Sequence, residues 1–390
     1  MPAKLLNPLF HPVTRIALAT ALLVMSFAMY GPVIAVILQQ RGHGALVIGA
    51  FAMIGFTCVG VLMPVLPTLC ARFGEVRIYQ IGAAFWLAAG VGYAVFDGLA
   101  LWSLAAVVGG LGAAAVWNAN EALIARHSPP NQRGRITGLY QTVLGGALAI
   151  GPFVPAIFRI DGQQTLIAVC GVQALALAMV VKLPALPTAG LAGAAAVGSP
   201  ALSTWRALRQ VPALATIAFV GGAFEGGLSS ISAAHGAALG MTMAAAASVV
   251  GALGVGSFLL QYPAGLLADQ VQPSRVFGAA GLVLLASSAG FAFSPVAPWL
   301  LWACAFVWGG VGGALYTLTM IRVAHQFRGQ DTTAGTAAMI TGYTLGGAIG
   351  PVASGAALQG FAAPGLAVWL ACLSLLVIGV AARWQPPKIA

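Results

Sequence analysis

One carboxylate stands deep inside an apolar stretch, where it could do chemistry. Glu225 lies about fifteen residues into the apolar run 211–234 and has a pair of glycines on either side. If this run spans a membrane, Glu225 lies near its middle. A charged side chain at that depth costs at least about 2.5 kcal/mol and is usually turned toward a cavity or a partner. Such a carboxylate suits a group that binds and releases a proton or pairs with a cationic solute. The alternative is a protonated Glu225 that only hydrogen-bonds to a neighbouring helix.

A second polar cluster lies near the end of another apolar run. Asn118, Asn120 and Glu121 follow one another closely, and Arg126 comes soon after them. At helical spacing, Asn118 and Glu121 share one face. The cluster could contact a substrate or form an inner gate, or Glu121 could instead pair with Arg126 or reach the cytoplasmic surface.

Further candidates are single side chains. His235 lies at the outer end of the run that holds Glu225 and could accept protons from outside, since an unperturbed histidine titrates near neutral pH; the alternative is an exposed loop histidine. Six polar or amphipathic side chains of unknown orientation could line a cavity or simply pack: Tyr30, Trp117, Tyr140, Gln141, Tyr316 and Tyr343. Four other acids lie in predicted loops or at helix ends, where water solvates them cheaply: Glu75, Asp97, Asp161 and Asp331.

The sequence contains no pattern typical of a disulfide framework, a metal site, a nucleotide site or an enzyme active site. The five cysteines are widely separated and indicate neither a disulfide framework nor a metal motif. No glycine-rich stretch ends in the Lys-Ser/Thr pair of a nucleotide site, so the 51 glycines are better explained by close helix packing. An enzyme would need a convergent set of His, Asp or Cys at membrane depth. We therefore expect no enzymatic activity, no metal and no cofactor.

The elements that position these residues are membrane helices. Of the 390 residues, 60% are hydrophobic and 6% charged, whereas soluble domains carry about a quarter charged residues. A bilayer core needs roughly 20 apolar residues per helix. Polar, Gly and Pro punctuation divides the chain into twelve such runs: 16–38, 45–67, 78–96, 99–125, 136–157, 164–184, 211–234, 245–267, 276–294, 299–321, 334–358 and 364–383.

The basic residues predict the orientation of these segments. With both termini in the cytoplasm, fifteen of the seventeen Lys and Arg fall inside and only Arg41 and Arg159 fall outside. This is a strong positive-inside bias. It also explains most of the net charge of +10, so nucleic acid is not expected as a partner and the lipid bilayer is.

The chain repeats itself at an offset near 200. Leu101-Trp102 recurs as Leu301-Trp302, and Ile150-Gly151-Pro152 recurs as Ile349-Gly350-Pro351. The repeat predicts an N-terminal six-helix bundle (1–184), a cytoplasmic linker (185–210) and a C-terminal six-helix bundle (211–390). Two related halves are a transporter architecture, with the solute path between them.

Short motifs carry a family resemblance. The stretch from Gly265 through Asp269 to Arg275 resembles the cytoplasmic loop motif of the major facilitator superfamily, and Gln261-Tyr262-Pro263 before it is similar to the YcaD-like bacterial branch. The resemblance implies an all-α membrane protein with twelve transmembrane helices in two pseudosymmetric six-helix bundles. We expect a monomer.

The chain also departs from the pattern of that family. Ala71 replaces the usual loop Asp in the first half, and Ala106 stands where many proton-coupled relatives have a buried Arg. The glycine-rich runs that end in Gly151-Pro152 and Gly350-Pro351 resemble a motif associated with antiporters and drug exporters, which favours export.

The cytoplasmic charges suggest an inner gate. The resemblance places Asp269 near Arg133 or Arg135, where opposite charges would close the inner side. In the other half the charges are reversed, which predicts a latch between Asp331 and either Arg72 or Arg77. The alternative is that these basic residues only follow the positive-inside rule and that the acids near them have no role in a gate.

These patterns together predict a secondary transporter of the bacterial inner membrane. We expect alternating access, with proton-coupled export of a small solute and Glu225 as the proton carrier. The alternatives are a uniporter or symporter that takes up a small polar or sugar-like solute, and a receptor without transport activity.

Overall fold

The computed structural model describes residues 12–127, 133–183, 204–326 and 331–384. The described residues of the first half form eight helices, and a 3₁₀ turn at Gly151–Phe153 joins the sixth to the seventh: α1 (Pro12–Gln40), α2 (Ala45–Leu62), α3 (Leu66–Phe73), α4 (Glu75–Val95), α5 (Leu99–His127), α6 (Arg133–Ile150), α7 (Val154–Phe158) and α8 (Gly162–Val181). The rest contains α9 (Thr204–Gln210), α10 (Pro212–Ala238), α11 (Met243–Gln270), α12 (Pro273–Ala292), α13 (Leu300–Val307), α14 (Gly313–Gln326) and α15 (Asp331–Ala382), with a π-helical turn at Trp308–Gly312.

Ten of the described helical stretches are long and apolar enough to cross a membrane. In the predicted segment 136–157, the described apolar helix is Thr142–Phe158, and it passes through the 3₁₀ turn at Gly151–Phe153. Pro152 lies in this turn and has no backbone N–H to donate within a helix.

The last two predicted segments, 334–358 and 364–383, lie in α15, which consists of two helices that meet at a kink. Two non-helical residues, Phe361 and Ala362, divide it. The ten stretches, the shorter apolar helix and the division of α15 together account for the twelve predicted segments.

Contacts divide the chain into two units. Unit 1 consists of Met1–Tyr30 and Thr57–Gly198, and unit 2 consists of Gly31–Phe56 and Ser199–Ala390. Gly31–Phe56 therefore belongs to unit 2, although it precedes the predicted boundary at 184. The domain boundaries that the repeat suggests remain a prediction.

In unit 1, α4 and α5 approach closely at two glycines. A Cβ atom on Gly82 would lie 2.8 Å from the carbonyl oxygen of Gly112, and one on Gly112 would lie 2.7 Å from the carbonyl oxygen of Gly82. Small residues allow such backbone contact between membrane helices. At the start of α8, Asp161 caps the helix, since its carboxylate accepts from Gln164 N at 2.7 Å.

In unit 2, α10 and α15 form a glycine-lined contact. Cβ atoms on Gly222, Gly346 or Gly350 would overlap the backbone of the opposite helix, and one on Gly226 would lie 2.8 Å from the carbonyl oxygen of Gly347. Only glycine fits at this separation, so the two helices can meet backbone to backbone. This contact brings Glu225 on α10 next to Tyr343 on α15.

Candidate functional site

Glu225 lies beside two tyrosines inside unit 2. The hydroxyl of Tyr343, on α15, donates a hydrogen bond of 2.5 Å to Oε2 of Glu225, on α10. The ring of Tyr343 packs against that of Tyr316, on α14, with the ring centroids 4.6 Å apart and the planes inclined at 49°. We call Glu225, Tyr316 and Tyr343 the acid–tyrosine site.

Glycines explain why these three side chains meet. A Cβ atom on Gly221 would lie 3.6 Å from Cβ of Tyr316 and 3.7 Å from Cδ2 of Tyr343, in ordinary contact. A Cβ atom on Gly222 would overlap the carbonyl oxygen of Tyr343. Residues three and four apart share a helix face, so the glycine pair brings α15 close to the face of α10 that carries Glu225.

All three side chains of the acid–tyrosine site are half-buried. Within the described part of the chain, Glu225 forms no salt bridge, and its hydrogen bond comes from a neutral hydroxyl. An ionised carboxylate has about four acceptor positions on its two oxygens. The site can therefore take up a proton or a further donor, including a cation, next to the bond from Tyr343.

The polar cluster of α5 is divided between different neighbours in unit 1. Asn120 is 2% exposed, and its amide group donates to the hydroxyl of Tyr140. The hydroxyl of Thr20 lies 2.7 Å from that of Tyr79 and donates to Oδ1 of Asn120 at 3.3 Å. These groups satisfy one another in the interior of the unit, and Asn120 is held by partners on two other helices, Thr20 on α1 and Tyr140 on α6.

Asn118 has a different environment. It is half-buried, its Oδ1 accepts from the thiol of Cys70 at 3.6 Å, and its Nδ2 lies 3.9 Å from Sδ of Met63. The side chains of Glu121 and Gln141 lie outside the described residues. A role of any of these residues in binding a substrate remains a prediction.

His235 lies within α10 and is 5% exposed. Its Nε2 atom is 2.9 Å from Oγ of Ser294, which itself donates to the carbonyl oxygen of Phe291 at 2.7 Å. The alternative of an exposed loop histidine is wrong, because α10 extends to Ala238 and the His235 side chain is buried. Acceptance of protons by His235 remains a prediction.

Tyr30 packs in an aromatic cluster of unit 1. It is 9% exposed, and its ring centroid lies 5.5 Å from that of Phe27 and 5.2 Å from that of Tyr93. Its buried ring contributes to packing, and a contact with solute remains a prediction.

The proposed gate residues are described only in part. Arg72, Arg77 and Arg275 are exposed, and the guanidinium carbon of Arg72 lies 5.2 Å from the centre of the Phe73 ring. The side chains of Asp269, Arg133, Arg135 and Asp331 lie outside the described residues. The two predicted ion pairs therefore remain predictions.

Glu75 differs from the sequence-based expectation. It begins α4, as a helix-end residue should, but it is only 7% exposed. The expectation that water solvates it is wrong. A negative charge in the first turn of a helix is favoured by the helix dipole, which supports an acid at this position.

The Gly-Pro pairs both make close contacts. A Cβ atom on Gly151 would lie 2.7 Å from Cβ of Ala28. One on Gly350 would overlap the backbone of Ala223 on α10. A Cβ atom on Gly49 would overlap the carbonyl of Pro351, the residue next to Gly350. Pro152 lies in the 3₁₀ turn and Pro351 lies within α15.

Sequence reasoning missed the pairing of Glu225 with Tyr343. From the sequence, Tyr316 and Tyr343 are side chains of unknown orientation, because the rotation of a helix is ambiguous when its surface is apolar nearly all round. A signal was present in the glycine pairs Gly221-Gly222 and Gly346-Gly347, which mark the faces where α10 and α15 meet.

The helical fold and its apolar spans define a multi-pass membrane protein. Residues 16–256 and 214–389 match the family model of the Major Facilitator Superfamily. The chain belongs to this superfamily, whose members carry small solutes across membranes, and it is a transporter rather than an enzyme.

Two relatives match almost the whole chain. The protein is 23% identical over 382 residues to the uncharacterized MFS-type transporter YfkF of Bacillus subtilis (strain 168), with 93% of this chain and 94% of that protein covered. It is 24% identical over 380 residues to the uncharacterized MFS-type transporter YcaD of Salmonella newport (strain SL254), with 94% of each covered. The predicted similarity to YcaD is confirmed.

The fold also matches a solved structure. A crystal structure of a mutant of the nucleoside transporter NupG superimposes with a TM-score of 0.80 at 10% identity, covering 96% of this chain and all of the other. This likeness shows the major facilitator fold and says nothing of the solute.

Proposed function

We propose that this protein is a proton-coupled secondary transporter that exports a small solute across the bacterial inner membrane, with both termini in the cytoplasm. Glu225 is the proton carrier. The observation that carries the proposal is the half-buried Glu225 carboxylate, bonded to the Tyr343 hydroxyl inside a membrane-spanning helix.

The geometry gives both protonation states a partner. The Tyr343 hydroxyl donates to the carboxylate, and after rotation of its O–H it can accept a proton from the carboxylic acid. A group that must gain and lose a proton during each cycle needs such a partner, because an unsatisfied polar group at membrane depth is costly. Because Glu225 is only half-buried, part of the residue stays accessible.

The direction rests on other features. Gly-Pro pairs in the 3₁₀ turn after α6 and within α15 resemble the motif associated with exporters. The basic residues predict which side is cytoplasmic, and therefore which direction would be export. Export by antiport follows if protons move into the cell through the same path by which the solute moves out.

The test is flux in proteoliposomes with and without a pH gradient, using a panel of sugars, nucleosides, amines and organic anions. The wild type should move at least one solute faster with the gradient. The variant Glu225→Gln should lose this stimulation, whereas Asp97→Asn, which changes an exposed acid between α4 and α5, should keep it. Gradient-driven flux that survives in Glu225→Gln would exclude Glu225 as the proton carrier.

An uncoupled uniporter is the second candidate. Ala106, which is 8% exposed, stands where many proton-coupled relatives have a buried Arg. In that case a solute should equilibrate across the membrane at a rate that does not depend on the gradient, in the wild type and in Glu225→Gln alike.

A further inference from the structure

We propose that the acid–tyrosine site binds a monovalent organic cation with an apolar or aromatic body, and that this cation competes with the proton for Glu225. This inference rests on the proposed function, because it assigns the solute class to the same carboxylate.

When Glu225 is ionised, the site carries a negative charge that no Lys or Arg on α10 opposes. From Pro212 to Ala238, α10 contains no Lys or Arg, and Glu225 is its only acid. The titratable groups that neighbouring helices place at the site are the hydroxyls of Tyr343 and Tyr316, which are neutral at ordinary pH. The nearest counterpart to the carboxylate among the described groups is thus a hydroxyl, and the positive charge must come from the ligand.

The tyrosines add a surface that favours a cation with an apolar body. Their rings are half-buried and pack 4.6 Å apart at an inclined angle, so they present aromatic area next to the carboxylate. A cation within about 6 Å of an aromatic face is attracted by its negative quadrupole. Carboxylate and rings together satisfy the two ends of an amphipathic cation.

The same site is poorly suited to other solutes. Sugars and nucleosides need several hydrogen-bonding groups placed around them, whereas the polar groups described here are one carboxylate and two tyrosine hydroxyls. An anion would be repelled by Glu225. A neutral apolar solute would leave the charged carboxylate with Tyr343 as its single partner.

One carboxylate can hold one proton or one monovalent cation. Binding of the cation to the protonated site therefore releases one proton, and return of the proton displaces the cation. The exchange is electroneutral for a monovalent cation, with the proton and the cation moving in opposite directions.

The experiment measures binding to the purified protein in detergent. The probes are radiolabelled benzyltrimethylammonium, ethidium and tetraphenylphosphonium, which span a range of sizes, and tetraphenylborate, which has the shape of tetraphenylphosphonium and the opposite charge. At least one cation should bind saturably, should bind about 10-fold more weakly to Glu225→Gln, and should release protons into weakly buffered solution as it binds. Tetraphenylborate should show no saturable binding.

Variants of Tyr343 separate the ring from the hydroxyl. Tyr343→Phe keeps the aromatic face and should retain cation binding, whereas Tyr343→Ala should weaken it by about 2- to 30-fold, the range expected for a cation–π contact. Asp97→Asn should bind as the wild type does. The inference is overturned if none of the three cations binds saturably, or if Glu225→Gln binds them unchanged.

Failure of this inference is distinguishable from failure of the proposed function. A neutral solute whose gradient-driven flux depends on Glu225, with no cation binding, would refute the cation and support the proton carrier. Saturable cation binding that depends on Glu225, with flux indifferent to the pH gradient, would support the cation and refute the coupling.

Discussion

The hydrogen bond between Tyr343 and Glu225 joins two helices through an ionisable group. It measures 2.5 Å and lies within a half-buried cluster. Hydrogen bonds to charged groups contribute about 1.5–3 kcal/mol, more than neutral ones. Protonation at Oε2, the oxygen that accepts from Tyr343, must rearrange this bond, so the two side chains act as a pair.

The variant Tyr343→Phe tests this pairing in transport. It removes the hydroxyl and keeps the ring, so the carboxylate loses its described donor while the packing against Tyr316 is retained. We expect gradient-driven flux to fall by about 10-fold, which corresponds to about 1.4 kcal/mol and lies just below the range for a bond to a charged group. Initial rates in proteoliposomes measure it. A wild-type rate would show that transport does not need the hydroxyl.

The sequence predicted the acid of the site but only part of its surroundings. Glu225 is conspicuous because a charge inside an apolar run is costly. Its partner depends on how α10 and α15 are rotated, and composition does not determine rotation when a helix is apolar on all sides. For the same reason, Asn118 and Asn120 were grouped from their spacing, whereas Asn120 alone is fully buried in the network of Thr20 and Tyr140.

Helix contacts in unit 2 depend on glycines at specific positions. Gly346 lies against α10, where an added Cβ atom would overlap the carbonyl of Phe219 and lie 2.8 Å from the nitrogen of Ala223. Gly379 lies on the same helix, α15, and an added Cβ atom there would meet nothing within 4 Å. The two positions therefore separate the packing effect of a glycine from its helix propensity.

The substitution Gly346→Ala should destabilise the protein by about 1–3 kcal/mol, the usual cost of overpacking. Gly379→Ala should be neutral or slightly stabilising, since alanine favours the helix and no neighbour must move. Thermal unfolding in detergent, followed by the fluorescence of a cysteine-reactive dye, compares the two. Equal melting temperatures would contradict the glycine-lined contact.

The kink that divides α15 contains a residue with an unusual backbone conformation. Ala362 has φ of 53° and ψ of −149°, a conformation that side chains other than glycine rarely adopt and that costs of order 1–3 kcal/mol. It ends one apolar stretch and begins the next, which allows two segments to follow one another without a polar loop.

Replacing Ala362 with glycine should remove this strain and raise the melting temperature. The matched control is Ala381→Gly, near the end of the same helix, where the backbone is helical and glycine should cost about 1 kcal/mol. If both substitutions lower the melting temperature, the turn at Phe361 and Ala362 is not strained.

The sequence predicted the apolar segments well because each must bury its own backbone polar groups in a helix. Nine are recovered as separate stretches, two lie within the tenth stretch, and the segment 136–157 contains a 3₁₀ turn at Pro152. The break between 334–358 and 364–383 is predicted from the Gly and Pro residues around it, and it lies at the non-helical residues Phe361 and Ala362. The positive φ of Ala362 could not be predicted, since this backbone conformation is unusual for a residue other than glycine.

At the scale of the whole molecule, the contact units do not follow the sequence repeat. Gly31–Phe56 comes from the first half of the chain but packs within unit 2. Val36 joins Ala233, Ala246 and Val250 in a small buried cluster, and the backbone nitrogen of Leu46 donates to Oε1 of Gln359 at 3.0 Å. Duplication predicts the order of the helices, whereas packing decides which segments belong together.

The packing of Gly31–Phe56 bears on transport because alternating access requires contacts at one side of the membrane to form and break. The orientation predicted from the basic residues places the link between α1 and α2 outside. The contact of Leu46 and Gly44 with Gln359 would then belong to an outer closure that must open during each cycle.

A cross-link across this contact should stop transport. The double variant Gly44→Cys with Gln359→Cys, in a background in which the five native cysteines are replaced by serine or alanine, places two thiols where the backbone of Gly44 meets the Gln359 side chain. A short bifunctional thiosulfonate should abolish flux in the double variant, leave each single variant active, and be reversed by a reductant. Full flux after complete cross-linking would mean that this contact stays closed throughout the cycle, and that the outer path opens elsewhere.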